Sequence, residues 1–293
     1  MIFEGAIAVT IQCSRLSVLA LPAVCFAQPA IAQDVPQISD EPSVFDGDFL
    51  IVGAGAAWVP DYEGSDDMHV LPVAGVAGRI GGVGINPRAA GIALDVVADS
   101  DKRAGLTLGP VLRYRSNRTG VAKDPVVASL GKLKGVIEAG VTGGVSFKRV
   151  LNPHDSLSMS VDVRWDVSGR GSGYIVSPGV SYLTPLSRAQ VAGLAASANF
   201  IDERYARYNF EITPAGAVAS GLPVHAARGG FKDWSLGAFT ARDLNGNFVD
   251  GGLAVAVGAM YSHLYGSAAD SPITSIRGRR SQWVVGGGLA FVF

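Results

Sequence analysis

Hydrophobic and polar residues alternate along the segment SLSMSVDVRWDVS, which covers residues 156–168. Its odd-numbered positions carry leucine, methionine, valine and tryptophan, and its even-numbered positions carry serine, aspartate and arginine. Only an extended strand places successive side chains on opposite faces, so this pattern predicts a β-strand. The segment exceeds the usual strand of about 5–6 residues and suits a tilted strand that crosses a bilayer, which needs roughly 9–11 residues.

The same alternation recurs along the chain and predicts about twelve strands. The predicted segments are 47–59, 68–80, 89–98, 104–116, 133–149, 156–168, 173–184, 190–201, 206–213, 230–241, 249–263 and 280–293. Turn sequences such as NPHD, GRGSG and DLNGN separate several of them. No amphipathic helical pattern of about 10–15 residues intervenes.

These strands predict an all-β fold, and two architectures compete. A periplasmic two-sheet sandwich would bury the hydrophobic rows, whereas a transmembrane barrel turns them toward lipid. Strand length, small residues on the polar rows and aromatic residues near strand ends favour the barrel. A sheet in lipid must close, because every backbone polar group needs a partner within the protein. We therefore predict an antiparallel β-barrel of about 12 strands, with an even number.

An even strand count places both ends of the barrel chain in the periplasm. The segments 60–67, 214–229 and 264–279 are then predicted to face outward. Residues 117–132 fall on the periplasmic side in this count, where they are long for a turn.

Composition narrows the possible classes of protein. Hydrophobic residues make up 48% of the chain and charged residues 17%, whereas a typical soluble domain is roughly 25% charged. No window offers the ~20 consecutive apolar residues of a spanning helix. The net charge of −1 provides no basic patch for phosphate, so we expect no nucleic-acid partner.

The N-terminal region divides into two predicted segments ahead of the barrel. Residues 1–32 resemble a secretory signal peptide, with an apolar run that ends in the small-residue pattern Ala30-Ile31-Ala32. Residues 33–46 are predicted to be a flexible lead-in, and 47–293 the barrel. Both cysteines, Cys13 and Cys25, lie in the signal segment. An exported chain without cysteine has neither a disulfide framework nor a thiolate metal site or nucleophile.

An acidic cluster follows the first predicted strand, in the sequence VPDYEGSDD. It consists of Asp61, Glu63, Asp66 and Asp67. One interpretation is a solvated turn, in which Gly64 supplies a positive φ. The other is a contact to a divalent cation or lipopolysaccharide, since clustered oxygens suit Ca²⁺ or Mg²⁺. We prefer the turn, and expect neither a metal nor a cofactor.

Charged side chains stand on the rows that are predicted to face the lumen. They are Arg113, Arg115, Asp162, Arg164 and Asp166. Lumen ion pairs are one explanation, and a lining that selects ions is the alternative.

Two groups of residues invite comparison with hydrolases. They are His154, Asp155 and Ser156, and His263, Asp270 and Ser271. The first three are neighbours at a turn, which is poor geometry for a catalytic relay. We therefore expect no catalytic residues and no enzymatic activity.

Four stretches carry a resemblance to a known family. They are VGAGAAWVPDYEGSDD followed by VLPVAG, SGLPVHAARGG, YSHLYGSAADSPIT and the closing GGGLAFVF. In this order they resemble the MipA/OmpV family of Gram-negative outer-membrane proteins. The resemblance implies a non-enzymatic barrel in the outer membrane, in contact with lipid and lipopolysaccharide. It also implies a scaffolding role beside murein synthases and hydrolases, and the alternative is a narrow channel for small solutes.

The last predicted strand carries a possible assembly signal on its lipid-facing row. The residues are Trp283, Leu289, Phe291 and Phe293. Outer-membrane assembly machinery pairs with the exposed edge of such a strand by strand addition. We therefore expect this row to be needed for assembly.

Overall fold

The computed structural model describes residues 43–97 and 103–293. Twelve strands form within these residues, and we number them in chain order. They are β1 (Phe49–Pro60), β2 (Met68–Ile80), β3 (Val83–Arg88), β4 (Gly91–Asp95), β5 (Ala104–Arg115), β6 (Val136–Lys148), β7 (Ser156–Asp166), β8 (Tyr174–Ser187), β9 (Gln190–Ile201), β10 (Gly230–Asp243), β11 (Gly252–Leu264) and β12 (Ser281–Val292). Each strand pairs antiparallel with its neighbours, and β1 pairs with β12 to close the barrel. The predicted fold class is confirmed.

Side-chain exposure follows the predicted alternation. On β7, Asp162 and Arg164 are buried, while Met159 and Trp165 are exposed. The two buried charges contact residues of other strands inside the barrel, so the exposed hydrophobic row forms the outer face. A soluble sandwich would have the reverse arrangement, and the barrel therefore presents its apolar rows to lipid.

One predicted strand is wrong. Residues 206–213 were expected to alternate as a strand, but Glu203–Phe210 form a helix, α2. The carboxylate of Asp202 accepts a hydrogen bond from the backbone N–H of Tyr205 at 2.9 Å, which caps the helix N-terminus. The buried side chains include Tyr205, Ala206, Asn209 and Phe210. This spacing gives one helical face that packs inward, and packing overrides the short apparent alternation.

The strand β3 was not predicted from the sequence, and its presence changes the topology. β3 is only six residues long and contains Pro87, so its alternation is weak. It follows β2 through the two-residue turn 81–82, in which both glycines have positive φ. With this extra strand, residues 117–132 lie at the same end of the barrel as 60–67, 214–229 and 264–279. Their predicted periplasmic placement is wrong, because the long loops of such barrels are extracellular.

Four long segments between strands fold together into a cap over the outer end. They are 61–67, 116–135, 202–229 and 265–280. Besides α2, the cap contains the short helices α1 (Pro125–Ala128), α3 (Pro214–Ser220), α4 (Gly266–Asp270) and α5 (Pro272–Ser275). Its hydrophobic core includes Tyr62, Val127, Phe210, Ile212 and Ile273. The protein thus has its main apolar core in the cap and not in the wall.

The periplasmic end is simpler. Its connections are the short segments 81–82, 149–155, 188–189 and 244–251, together with 96–103, of which residues 98–102 are not described. The predicted signal peptide and residues 33–42 of the predicted lead-in lie outside the described residues, and Val44–Asp46 form a single 3-10 turn. In the described part of the chain, no helix is both long and apolar enough to cross a membrane.

The strand β2 is fully paired on only one of its two edges. β1 pairs with β2 along its whole length, from Met68 to Arg79. On its other edge, β2 pairs with β3 only from Gly78 to Ile80. The short β3–β4 hairpin therefore leaves most of one β2 edge without a partner among the described residues.

Candidate functional site

A chain of buried ion pairs crosses the outer half of the lumen. Arg115 Nε lies 2.7 Å from Glu138 Oε1, and Arg164 Nε lies 3.3 Å from Glu138 Oε2. Arg164 also contacts Asp162 at 3.1 Å, and Arg88 Nε contacts Asp162 at 2.8 Å. Alternation places all five side chains inside the barrel, where they link β3, β5, β6 and β7. Because buried charges are costly unless they are paired, this network holds the wall in one register.

Arg115 also ties the lumen network to the cap. Its guanidinium donates to Asn209 Oδ1 at 2.6 Å and to the hydroxyl of Ser172. It also lies over the ring of Tyr205, 4.3 Å from the centroid, as a cation–π contact. Asn209 and Tyr205 belong to α2. The cap is thus fastened to side chains of the wall at the outer end of the lumen.

A second cluster joins the acidic loop to β10. Lys232 Nζ lies 2.7 Å from Glu63 Oε1 and 3.0 Å from Asp233 Oδ2. Lys232 and Asp233 are sequence neighbours, yet both are buried. The pairing of β10 with β9 shifts register between Phe231 and Asp233, and this bulge allows neighbouring side chains to turn the same way.

The predicted acidic cluster does not converge on one point. Glu63 turns inward to Lys232, whereas Asp61 Oδ2 accepts from the backbone N–H of Lys123 at 2.9 Å and Asp66 is exposed. Burial alone would raise the pKa of Glu63, but the Lys232 ammonium outweighs it and the pKa lies below its ordinary value. No group of three or more metal-ligating side chains occurs among the described residues. Glu63 and Asp61 thus each contact a different partner within the protein.

Tyr62, within the same loop, belongs to the core of the cap. It is buried, its hydroxyl donates to the Ile273 carbonyl at 3.4 Å, and burial raises its pKa to about 12. Gly64 has a φ of +97°, and a Cβ there would clash with the Thr274 hydroxyl. The first loop, 61–67, thus packs tightly against the segment 265–280.

The remaining predicted lumen charges behave differently from the network. Asp166 accepts from the backbone N–H groups of Ser168, Arg170 and Ser172, so it organises the turn 167–173. Arg113 faces the lumen, but its Nε is buried without a hydrogen-bond partner among the described residues. The predicted set therefore contains paired lumen charges, a turn-forming carboxylate and one guanidinium whose Nε has no hydrogen-bond partner among the described residues.

The residues considered as hydrolase candidates do not contact one another as a catalytic group, because they bind different partners. His263 lies beside Ser281 at 3.1 Å, Asp270 pairs with Arg280 at 3.0 Å, and Ser271 donates to the Phe210 carbonyl at 2.6 Å. At the other end, Asp155 accepts from backbone N–H groups of its own turn and from the Tyr182 hydroxyl. Each of these side chains has a structural partner.

The sequence analysis did not identify Glu138 and Lys232. These two residues lie at the centres of the lumen ion-pair chain and of the cluster that joins the acidic loop to β10. Glu138 lies in the predicted strand 133–149, directly opposite Arg113 and beside Arg115 in the pairing register. Assigning the faces of that strand would have identified it. Lys232 had no comparable signal, because a bulge cannot be read from alternation.

The residues of the predicted assembly signal lie where that prediction needs them. Trp283, Leu289, Phe291 and Phe293 are all exposed on the outer face. The rings of Phe291 and Phe293 are 4.6 Å apart, and backbone hydrogen bonds join Phe293 to Leu50. Their role in assembly stays a prediction.

A closed barrel with lipid-facing apolar rows and long loops at one end defines the class: an integral protein of the Gram-negative outer membrane. Within that class, the chain belongs to the family described as MltA-interacting protein MipA, whose model matches residues 52–293. None of the curated proteins matches it.

The solved structures that match the chain include two outer-membrane proteins. An outer membrane channel from Pseudomonas putida F1 is 13% identical, with a TM-score of 0.43, and the match covers 84% of this chain and 96% of that chain. The outer membrane protein OprD from Pseudomonas aeruginosa is 11% identical, with a TM-score of 0.28, and the match covers 86% and 95% of the two chains.

Proposed function

We propose that this protein is a non-enzymatic interaction barrel of the outer membrane, which acts by binding a protein and not by conducting solutes. The observation that carries the proposal is the ion-pair chain and the packed cap at the outer end of the lumen. The ion-pair chain through Glu138 and the packed cap leave large side chains, each with partners, across the path of a solute. A general porin needs a water-filled passage instead.

The family description, MltA-interacting protein, supports a protein partner. The resemblance to the MipA/OmpV family implies that this partner is an enzyme that processes murein. Murein lies in the periplasm, so contact would involve the periplasmic rim. The segment 117–132, at the opposite end, is not available for this. Leu151, in the turn 149–155, is 80% exposed and gives the rim an apolar contact point. Val150 beside it is 42% exposed, so this turn exposes two adjacent apolar side chains.

A pull-down with a murein transglycosylase tests the rim. The variant Leu151→Asp should lose most of the captured enzyme, because it places a charge in the contact. The matched control is Val218→Asp in α3, which is 89% exposed on the cap. Loss of the captured enzyme with the control Val218→Asp would contradict the proposal. Full capture of the enzyme by Leu151→Asp would contradict it as well.

A narrow channel for small solutes is the second candidate. The charged network favours it, since rings of charge select ions in conducting pores. Planar-bilayer recording separates the two functions. We expect a silent barrel, and steady ion-selective openings in the native protein would favour the channel.

The remaining partners follow from location. The exposed rows should contact outer-membrane lipid and lipopolysaccharide, and the Phe293 row the assembly machinery.

A further inference from the structure

One edge of β2 is open where the strand crosses the outer half of the barrel. The residues from Val70 to Gly75 are exposed at every position, on both faces of the strand. In the other long strands, exposed positions alternate with less exposed ones along most of the length. Among the residues that the structure describes, this section of wall therefore has no neighbour on one side.

The hydrogen-bond pattern shows which backbone groups reach the open edge. The Asp61 N–H donates to the Asp67 carbonyl at 2.9 Å, and β2 and β3 are joined by a two-residue turn. In an antiparallel ladder, both facts point the backbone groups of even-numbered β2 residues away from β1. Pro72 is one of these residues, and it has no N–H to leave unpaired. A proline within a strand belongs at such an edge.

The opening has a defined border on each side. Continuing the register of Val83 opposite Ile80 places Arg88, at the tip of the β3–β4 hairpin, opposite Gly75. At the outer end, Lys123 Nζ donates to the Met68 carbonyl at 2.6 Å. The window therefore spans the part of β2 between Met68 and Gly75.

The lumen side of the window is apolar. Leu71 and Val73 belong to the inward row, yet they are 42% and 41% exposed. Elsewhere the inward rows carry mainly small or polar residues. Backbone without a partner is tolerated at membrane depth only beside protein or a water-filled cavity. Lumen water would satisfy the edge, while lipid chains stand outside it.

A pairing strand is a poorer occupant of this window than an acyl chain. Pro72 removes a donor from the middle of the edge, and Lys123 already occupies its outermost carbonyl. Both features hinder strand addition. The apolar side chains of Leu71 and Val73 suit hydrocarbon instead.

Arg113 supplies a second, independent observation inside the barrel. It stands opposite Gly91, at the tip of the same hairpin that borders the window, and its Nε is buried without a hydrogen bond. A guanidinium with a free Nε donor at that position suits an anionic group.

We propose that the gap between β2 and the β3–β4 hairpin is a lateral portal, through which an amphiphile with an acyl chain and an anionic headgroup enters the lumen from the outer leaflet. The chain lies against Leu71 and Val73, and the headgroup reaches Arg113. The portal bypasses the cap, so it requires no passage through the outer end.

Photocrosslinking of the full chain tests the portal. Benzoylphenylalanine replaces Leu71 in protein reconstituted into phosphatidylglycerol vesicles, and intact mass reports any adduct after irradiation. The lipid-facing position Leu236 is the positive control. The negative control is Ala290, an inward position at the depth of Gly75 in a fully paired part of the wall. Heat-modifiable gel mobility confirms that each variant is folded.

We expect lipid adducts at Leu71 and Leu236 and none at Ala290. Absence of lipid at Leu71, or an adduct there to a second copy of the chain, would overturn the portal.

Arg113→Gln in the Leu71 probe background tests the headgroup. It should lower the phosphatidylglycerol adduct by about tenfold, the value of one charge-assisted contact, and leave a phosphatidylcholine adduct unchanged. Equal yields from both lipids with and without Arg113 would contradict the anionic specificity.

Discussion

The two halves of the lumen are built in different ways. The outer half contains large charged side chains, such as Arg115, Glu138 and Arg164, which are buried and joined to one another. The periplasmic half carries small residues on its inward rows, such as Gly105, Ser146 and Ser158. The same alternating strands run through both halves. The outer end of the lumen is therefore obstructed by a few side chains and by the cap that they hold. The barrel wall itself does not obstruct it.

The difference also predicts where substitutions matter. A buried ion needs all of its partners, because an unpaired charge in a nonpolar surrounding is costly. A small side chain in a wider space has few contacts to lose. Substitutions in the outer half should therefore destabilise the protein much more than substitutions of equal size in the periplasmic half.

The largest effect is expected for Glu138→Ala. This change leaves Arg115 and Arg164 buried with no carboxylate between them, and breaking a buried pair costs about 3–5 kcal/mol. Urea unfolding, followed by heat-modifiable gel mobility, measures the loss. Ser158→Ala, in the periplasmic half, is the control and should stay within about 0.5 kcal/mol of the native protein. Similar losses in both variants would remove the distinction between the halves.

Phe210→Ala should loosen the cap without unfolding the wall. Phe210 is fully buried in the cap core, and such truncations cost roughly 3 kcal/mol or more. We expect faster proteolysis within 202–229 while the strands stay protected. Val218→Ala, on the exposed face of the cap, should be cleaved at the native rate. Loss of the whole barrel in Phe210→Ala would mean that cap and wall fold as one unit.

Acid should weaken the cap through Glu63. Its pKa is lower in the folded protein than in the unfolded chain, so its stabilisation is present above the ordinary glutamate value of about 4.3. That stabilisation is lost as the pH falls through the lower, folded value. Glu63→Gln should cost roughly 1–3 kcal/mol at neutral pH and flatten the acid dependence of cap proteolysis. Asp66→Asn, at an exposed position of the same loop, should leave that dependence intact.

The smallest effect is expected for Tyr62→Phe. Its hydrogen bond to Ile273 is long, at 3.4 Å, so less than about 1 kcal/mol should be lost at neutral pH. The pKa is raised to about 12, so the native cap should lose stability as the pH rises from the ordinary value toward that one. Tyr62→Phe should resist alkali better, which circular dichroism against pH can measure.

Most of the wall was predictable from sequence, because a half-buried strand shows its period directly. The two errors have identifiable physical causes. β3 is short and interrupted by Pro87, so it shows too little alternation, although the preceding glycine pair is a hairpin signal. α2 begins with Asp202 and Glu203, which is a helix start signal that the apparent alternation of 206–213 concealed. The missed strand β3 and the wrongly added strand 206–213 left the total at twelve. The missed strand nevertheless caused 117–132 to be assigned to the periplasmic end and not to the outer end.

The site was predictable only in part. Alternation placed Arg115, Asp162 and Arg164 in the lumen, and they are there. Their partners depend on which strands curve toward each other and on how the loops fold inward. The contact of Glu63 with Lys232 joins residues far apart in sequence and passes through a bulge. No local pattern encodes such a pair.

The short β3–β4 hairpin also has a mechanical consequence. A closed barrel resists lateral pressure from the bilayer much as a hoop resists squeezing, through the bonds that join each strand to the next. Around most of the circumference these seams run the length of the strands, but the β3–β4 hairpin is joined to β2 and to β5 over only three residue pairs each. Squeezing or stretching of the membrane should therefore be taken up at this hairpin, which makes it the compliant joint of an otherwise stiff ring.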